Sequence, residues 1–141
     1  MPTDSSRTHD IVIRGGTIVT ASDVFAADLG ITGETITALG HDLPRGRREI
    51  DATGRLVLPG GVDSHCHIEQ LSGGGIMNAD TFETATRSAA FGGTTSVVSF
   101  AAQHRGKNLT TVVEDYASLA AKGALIEIGR ASCRERVLMP V

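Results

Sequence analysis

His65 and His67 stand two residues apart in the run Pro59-Gly60-Gly61-Val62-Asp63-Ser64-His65-Cys66-His67-Ile68-Glu69-Gln70. Small and apolar residues lead into this run, and residues able to bind a metal close it. If the chain is extended here, side chains alternate between two faces, so Asp63, His65 and His67 share one face while Ser64 and Cys66 share the other. Two imidazoles then converge on one spot. Neutral imidazole is the commonest protein ligand for zinc and its neighbours, and a nearby acid can hold a ring in the tautomer a metal needs. The chemistry predicted is divalent-metal binding by His65 and His67, with Asp63 as the acid behind them. A bare His-x-His is more often a polar surface pair, so the context has to carry the reading. That context is a Pro-Gly-Gly turn ahead of the pair, an acid of matching parity and a glycine-rich loop after it. Cys66, with the opposite parity, is expected to pack behind the strand as a core thiol.

Gly60, Asp63, His65 and His67 match the Gly-x-x-Asp-x-His-x-His signature that opens the barrel of the amidohydrolase superfamily, which this stretch resembles. Over residues 9–126 the chain further resembles the hydantoinases and dihydropyrimidinases, through Asn78-Ala79-Asp80-Thr81-Phe82-Glu83-Thr84 and Gly92-Gly93-Thr94-Thr95. The Gly-Gly-Thr-Thr segment recurs in several cyclic amidohydrolases, so allantoinase and dihydroorotase stay open as alternatives. A non-catalytic dihydropyrimidinase-related structural protein also stays open, although His65 and His67 argue against it. The resemblance implies hydrolysis of a cyclic amide or imide by a two-metal centre, usually zinc, with His65 and His67 on the more buried ion and Asp63 behind them. It also implies a homotetramer in full-length relatives. The family's bridging lysine, further histidines and catalytic aspartate come from later segments. The expectation is therefore an N-terminal fragment that is inactive by itself.

The elements that must position this pair follow from pattern. The 141 residues carry 40% hydrophobic and 4% aromatic residues, with no tryptophan, which leaves the core to Val, Ile, Leu and Ala. Residues 1–8 read as a disordered leader. Short β-branched runs over the first forty residues are expected to form antiparallel strands, a hairpin turning at Arg14-Gly15-Gly16 and a pair around Thr32-Gly33-Glu34, and two further strands are expected at 49–52 and 55–58. This part resembles the start of a small β-sandwich. From 61 to 126 the order is strand, helix, strand, helix, strand, the opening of a parallel α/β array and, by resemblance, of a TIM (β/α)8 barrel. Asp80 reads as the N-cap of a helix from 81 to about 91 whose packing face holds Phe82, Ala85 and Ala89, with Thr86 beside them. Residues 94–100 read as a strand buried on both faces. Leu109, Val112, Val113, Tyr116 and Leu119 mark a second helix ended by Gly123, and a third strand begins at 124–126. A barrel takes about 250 residues, so it cannot close within this length.

The glycine-rich loop 68–78 is expected above the metal centre, and His104 in the next loop is not expected to be a ligand. Residues 127–141 show neither strand alternation nor an apolar helix face. They resemble the translation of a sequencing adapter, and a non-native tail is expected there. The net charge of −3 and the absence of a basic, aromatic-rich face disfavour nucleic acid. No apolar run approaches a membrane span and no signal pattern opens the chain, so a cytoplasmic location is expected.

Overall fold

A computed structural model of the chain describes residues 8–134. The leader expected at 1–8 lies outside the described residues except for Thr8, as do residues 135–141 of the expected tail. The chain divides into two compact units, which part between Pro59 and Gly60.

The first unit is one sheet built on β1 (His9–Val19), flanked by β2 (Val24–Thr32), β3 (Thr35–Gly40), β4 (Gly46–Asp51) and β5 (Leu56–Val57). Its order is β3-β2-β1-β4, with β5 also on β1. β2 and β3 form the hairpin expected around Gly33, whose φ of 58° is one glycine adopts freely. The hairpin expected at residues 14–16 is not there. β1 runs straight through, and its pairing with β2 slips between Ile13 and Gly16. Gly15, with φ 66°, absorbs the extra residue as a bulge. A glycine pair therefore bends a strand here and does not reverse it, because β4 and β5 hold its other edge in parallel register. Gly16 is required by space as well, since a Cβ there would lie 2.6 Å from Val57 Cγ2. Ile18, Ala27 and Leu29 form the core, with Ile13, Ile31 and Val57 against them.

The second unit is a parallel sheet of order β6-β7-β8 with two crossover helices. Its elements are β6 (Gly61–Cys66), α1 (Phe82–Phe91), β7 (Thr94–Gln103), α2 (Leu109–Gly123) and β8 (Glu127–Arg134). Phe82, Val97, Ala120 and Ile68 form its core. Thr86 is fully buried, and its hydroxyl donates to the Phe82 carbonyl and accepts from the Leu125 N–H at 3.0 Å, tying α1 to the chain entering β8.

Three expectations are corrected here. The N-cap of α1 is Thr81, not Asp80: Thr81 and Thr84 form the reciprocal capping box, and the Asp80 carboxylate instead accepts from the Thr84 hydroxyl at 3.0 Å. β7 is buried at Val97, Ser99 and Ala101 but only half-buried at the alternating positions, because the helices cover one face. The third strand is not at 124–126 but at Glu127–Arg134, inside the segment read as patternless. It pairs with β7 over its whole length, from Ser96 opposite Glu127 to Gln103 opposite Arg134. The open edge of β7 offers main-chain donors and acceptors that any sequence can meet, so backbone pairing wins over a weak side-chain pattern. Among the described residues no helix is long and apolar enough to cross a membrane.

Candidate metal centre

β6 brings the predicted residues to its C-terminal end. Gly60 lets this strand close on its neighbour, since a Cβ there would meet the Thr95 hydroxyl at 2.0 Å. His65, in the strand, and His67, just past it, are both exposed, and their ring centres are 5.3 Å apart with planes tilted by 57°. The face of His65 stacks on Phe100 of β7 at 4.1 Å, and His67 lies 6.0 Å from the same ring. Stacking holds a ring by its face and leaves its edge nitrogens outward.

This separation fits one shared ion. With metal–nitrogen bonds of about 2.0–2.1 Å and tetrahedral angles, two ligating imidazole centres stand roughly 5 Å apart. The chemistry of the donors fits as well, since neutral imidazole suits zinc. Among the described residues, however, no group of three or more His, Cys, Asp or Glu side chains is placed to hold an ion. Two candidate donors, His65 and His67, stand together here.

The Asp63 carboxylate accepts from the main-chain N–H of His65 at 3.0 Å. It thus braces the peptide ahead of the ligand pair, and the hydrogen bond found for it is not to a ring. Cys66 turns toward the helix side, as its parity requires, and its thiol donates to the Val98 carbonyl at 3.6 Å. Burial pushes that thiol up from its ordinary range, which keeps it protonated and a poor ligand.

The segment after His67 carries a network that periodicity did not disclose. The Tyr116 hydroxyl of α2 donates to the Ile68 carbonyl at 2.5 Å and accepts from the Ile68 N–H at 3.2 Å. Ser99 Oγ, fully buried on β7, lies 2.7 Å from the same hydroxyl and reaches the Cys66 carbonyl at 3.5 Å. Burial raises the Tyr116 phenol above its ordinary range against the pull of its hydrogen bonds, so it keeps its proton for donation. Glu69 stands in the left-handed region at φ 48°, and its carboxylate accepts from the Phe82 N–H, the first amide of α1, at 2.7 Å. That placement satisfies an orphan donor at a helix N-terminus. Gln70 Nε2 donates to the Phe100 carbonyl at 2.8 Å. Beyond it the glycine-rich loop folds on itself, with Leu71 opposite Met77 and the Ser72 N–H donating to the Ile76 carbonyl at 2.8 Å. The one sequence hint of the network was Tyr116, which was assigned only to a packing stripe.

His104 is half-buried past the end of β7 and borders a cavity of about 340 Å³ with Ala102, Val112 and Lys122. Neither His65 nor His67 lines that cavity.

No protein-family model matches the chain. Among curated proteins it is 47% identical over 120 residues to a D-hydantoinase of Ralstonia pickettii, covering 85% of this chain and 26% of that protein. It is 37% identical over 116 residues to a dihydropyrimidinase of Rattus norvegicus, covering 78% of this chain and 22% of that protein. Among solved structures, one of a D-hydantoinase superposes with a TM-score of 0.82 at 46% identity over 87% of this chain and 27% of the other. A dihydropyrimidinase from Brevibacillus agri superposes at 0.80 with 43% identity, over 86% of this chain and 26% of that one. The chain thus spans about a quarter of the length of the relatives it matches.

Proposed function

The chain is a relative of the hydantoinase and dihydropyrimidinase family over the residues it shares with it, and from that premise we propose that it carries the first ligand pair of a metal-dependent cyclic amidohydrolase. The reaction is hydrolysis of a ring amide in a hydantoin or dihydropyrimidine: the ring C–N bond breaks, the carbonyl carbon takes the hydroxyl of water, and the ring nitrogen takes the proton. The observation that carries this reading is the 5.3 Å approach of His65 and His67 at the end of a parallel strand. A similarity to allantoinases, 36% identical over 89 residues in one from Salmonella, keeps other cyclic ureides and amides as the second reading.

In this proposal His65 and His67 hold a zinc ion, the first of two, within a TIM barrel that begins at β6, and the first unit is part of a β-sandwich. A bound divalent ion supplies polarisation of the ring carbonyl and a water acidic enough to react near neutral pH. The chain's own contribution is placement. Phe100 holds the His65 ring, Asp63 braces the main chain before it, and the contacts after His67 fix where the strand ends. A cytoplasmic homotetramer completes the proposal.

Catalytic zinc ordinarily uses more than two protein ligands. The polypeptide 1–141 is therefore expected to bind zinc weakly and to leave hydantoin and dihydrouracil unhydrolysed. Zinc titration by calorimetry, beside the His65→Ala/His67→Ala double variant, is the direct test. Wild-type affinity no better than that of the double variant contradicts the ligand assignment, and turnover free of host enzyme contradicts the expected inactivity.

A further inference from the structure

The geometry points to Tyr116, oriented by Ser99, as a positioning residue that sets the direction of the His67 side chain by holding the peptide units that follow it. This rests on the reading of His65 and His67 as ligands.

The direction of a Cα–Cβ bond follows from the two peptide planes that meet at that Cα. At His67 the preceding plane contains the Cys66 carbonyl and the following plane contains the Ile68 N–H. Ser99 Oγ reaches the first at 3.5 Å, and Tyr116 Oη accepts from the second at 3.2 Å. The two hydroxyls lie 2.7 Å apart; with the phenol's proton on the Ile68 carbonyl, the Ser99 proton goes to Tyr116 Oη and orients it, and Ser99 Oγ stands beside the Cys66 carbonyl without donating to it. The phenol's own proton goes to the Ile68 carbonyl at 2.5 Å, which belongs to the next peptide unit along. His67 itself is past the last residue of β6, where the sheet ladder no longer fixes the backbone.

Packing alone does not account for this hydroxyl. The Tyr116 ring already lies 5.1 Å from Phe82 in the core, a contact that phenylalanine would also make. The one feature phenylalanine lacks is directed at the main chain beside the ligand. A left-handed residue and a side-chain anchor follow at Glu69 and Gln70, so the chain leaves the strand along a path held by α1, α2 and β7. Supports of this kind around a metal ligand affect affinity by about 10–100-fold when they touch the ligand ring itself. A support acting through the main chain should give about threefold to tenfold by the same comparison.

The test uses the whole chain and two variants, Tyr116→Phe and Ser99→Ala. Amide hydrogen exchange, resolved by residue, is expected to quicken at least tenfold at Ile68 in Tyr116→Phe, while amides of β1 in the other unit keep their rates. Cobalt(II) is the metal probe. Its binding is expected to weaken by about threefold to tenfold in both variants, with a changed visible absorption band reporting altered ligand geometry. Unchanged exchange at Ile68 together with an unchanged cobalt spectrum in both variants overturns the proposal. So does a Tyr116→Phe chain whose exchange quickens uniformly, since that marks general destabilisation. If wild type binds cobalt no better than the His65→Ala/His67→Ala variant, the ligand reading itself falls, and the exchange at Ile68 still decides whether Tyr116 holds the backbone.

Discussion

Asp28 shows how one side chain can hold an irregular strand in place. It is 9% exposed; one oxygen accepts from the Gly15 N–H of the bulge at 3.0 Å, and the other accepts from Arg14 Nη1 at 3.1 Å and the Leu43 N–H at 3.3 Å. Arg14 also donates to Glu49 at 2.6 Å, so one guanidinium joins β2 to β4 across β1. The Gly15 N–H, with the Leu43 N–H and Arg14 behind it, holds the Asp28 carboxyl below its ordinary value of 3.8 despite burial. A carboxylate with a lowered folded pKa stabilises the fold above its unfolded value and loses that contribution as pH falls through the folded one. The first unit is therefore expected to lose stability as pH drops below 3.8, the Asp28 reference value. Asp28→Asn should cost about 1–3 kcal/mol at neutral pH, since it leaves polar groups half-satisfied. Urea unfolding at stepped pH checks both, and a variant with the wild-type acid profile would refute the assignment. The sequence reads Gly15 as part of a hairpin turn, and the structure makes it a bulge instead. Its partner Asp28 is not legible there, because a contact across 13 residues of chain leaves no periodic trace.

Between elements, the start of α1 separates two neighbouring polar residues by role. Thr81 accepts from the Thr84 N–H at 3.3 Å, and the Thr84 hydroxyl accepts from the Thr81 N–H at 3.0 Å, while Asp80 only steadies the Thr84 hydroxyl. Thr81→Ala should cost about 1 kcal/mol of helix stability and Asp80→Ala clearly less. Thermal melts of the two variants measure this, and the reverse order would place the cap at Asp80 after all. The helices were legible to within a residue because apolar spacing marks a buried face. Phe82 and Thr86 occupy that face as their spacing requires. A third strand was legible but its position was not, because an edge strand is recruited by its neighbour's backbone and needs no alternation of its own.

Over the whole molecule, many large apolar side chains stand open to solvent. Val24, Leu56 and Leu58 are 67%, 63% and 59% exposed in the first unit, and Val62, Ile76 and Phe91 are 67%, 74% and 90% exposed in the second. Where such side chains form a contiguous patch they mark a surface that other protein can cover. The chain by itself is expected to self-associate as its concentration rises, and more so in sulfate, which strengthens apolar burial. Sedimentation velocity across a concentration series reads this directly. A single monomer-sized species throughout would contradict it.

By itself the sequence determined which residues could do chemistry and much of the local order. Two imidazoles at alternating spacing and two amphipathic helices are properties of neighbouring residues, set by backbone period and side-chain type. Only the tertiary structure decided that a glycine pair bends β1 without ending it, that β8 pairs with β7, and that Tyr116 reaches 48 residues back to the peptide beside His67. Each of these depends on what another part of the chain presents at hydrogen-bond distance, and a linear pattern does not encode distance.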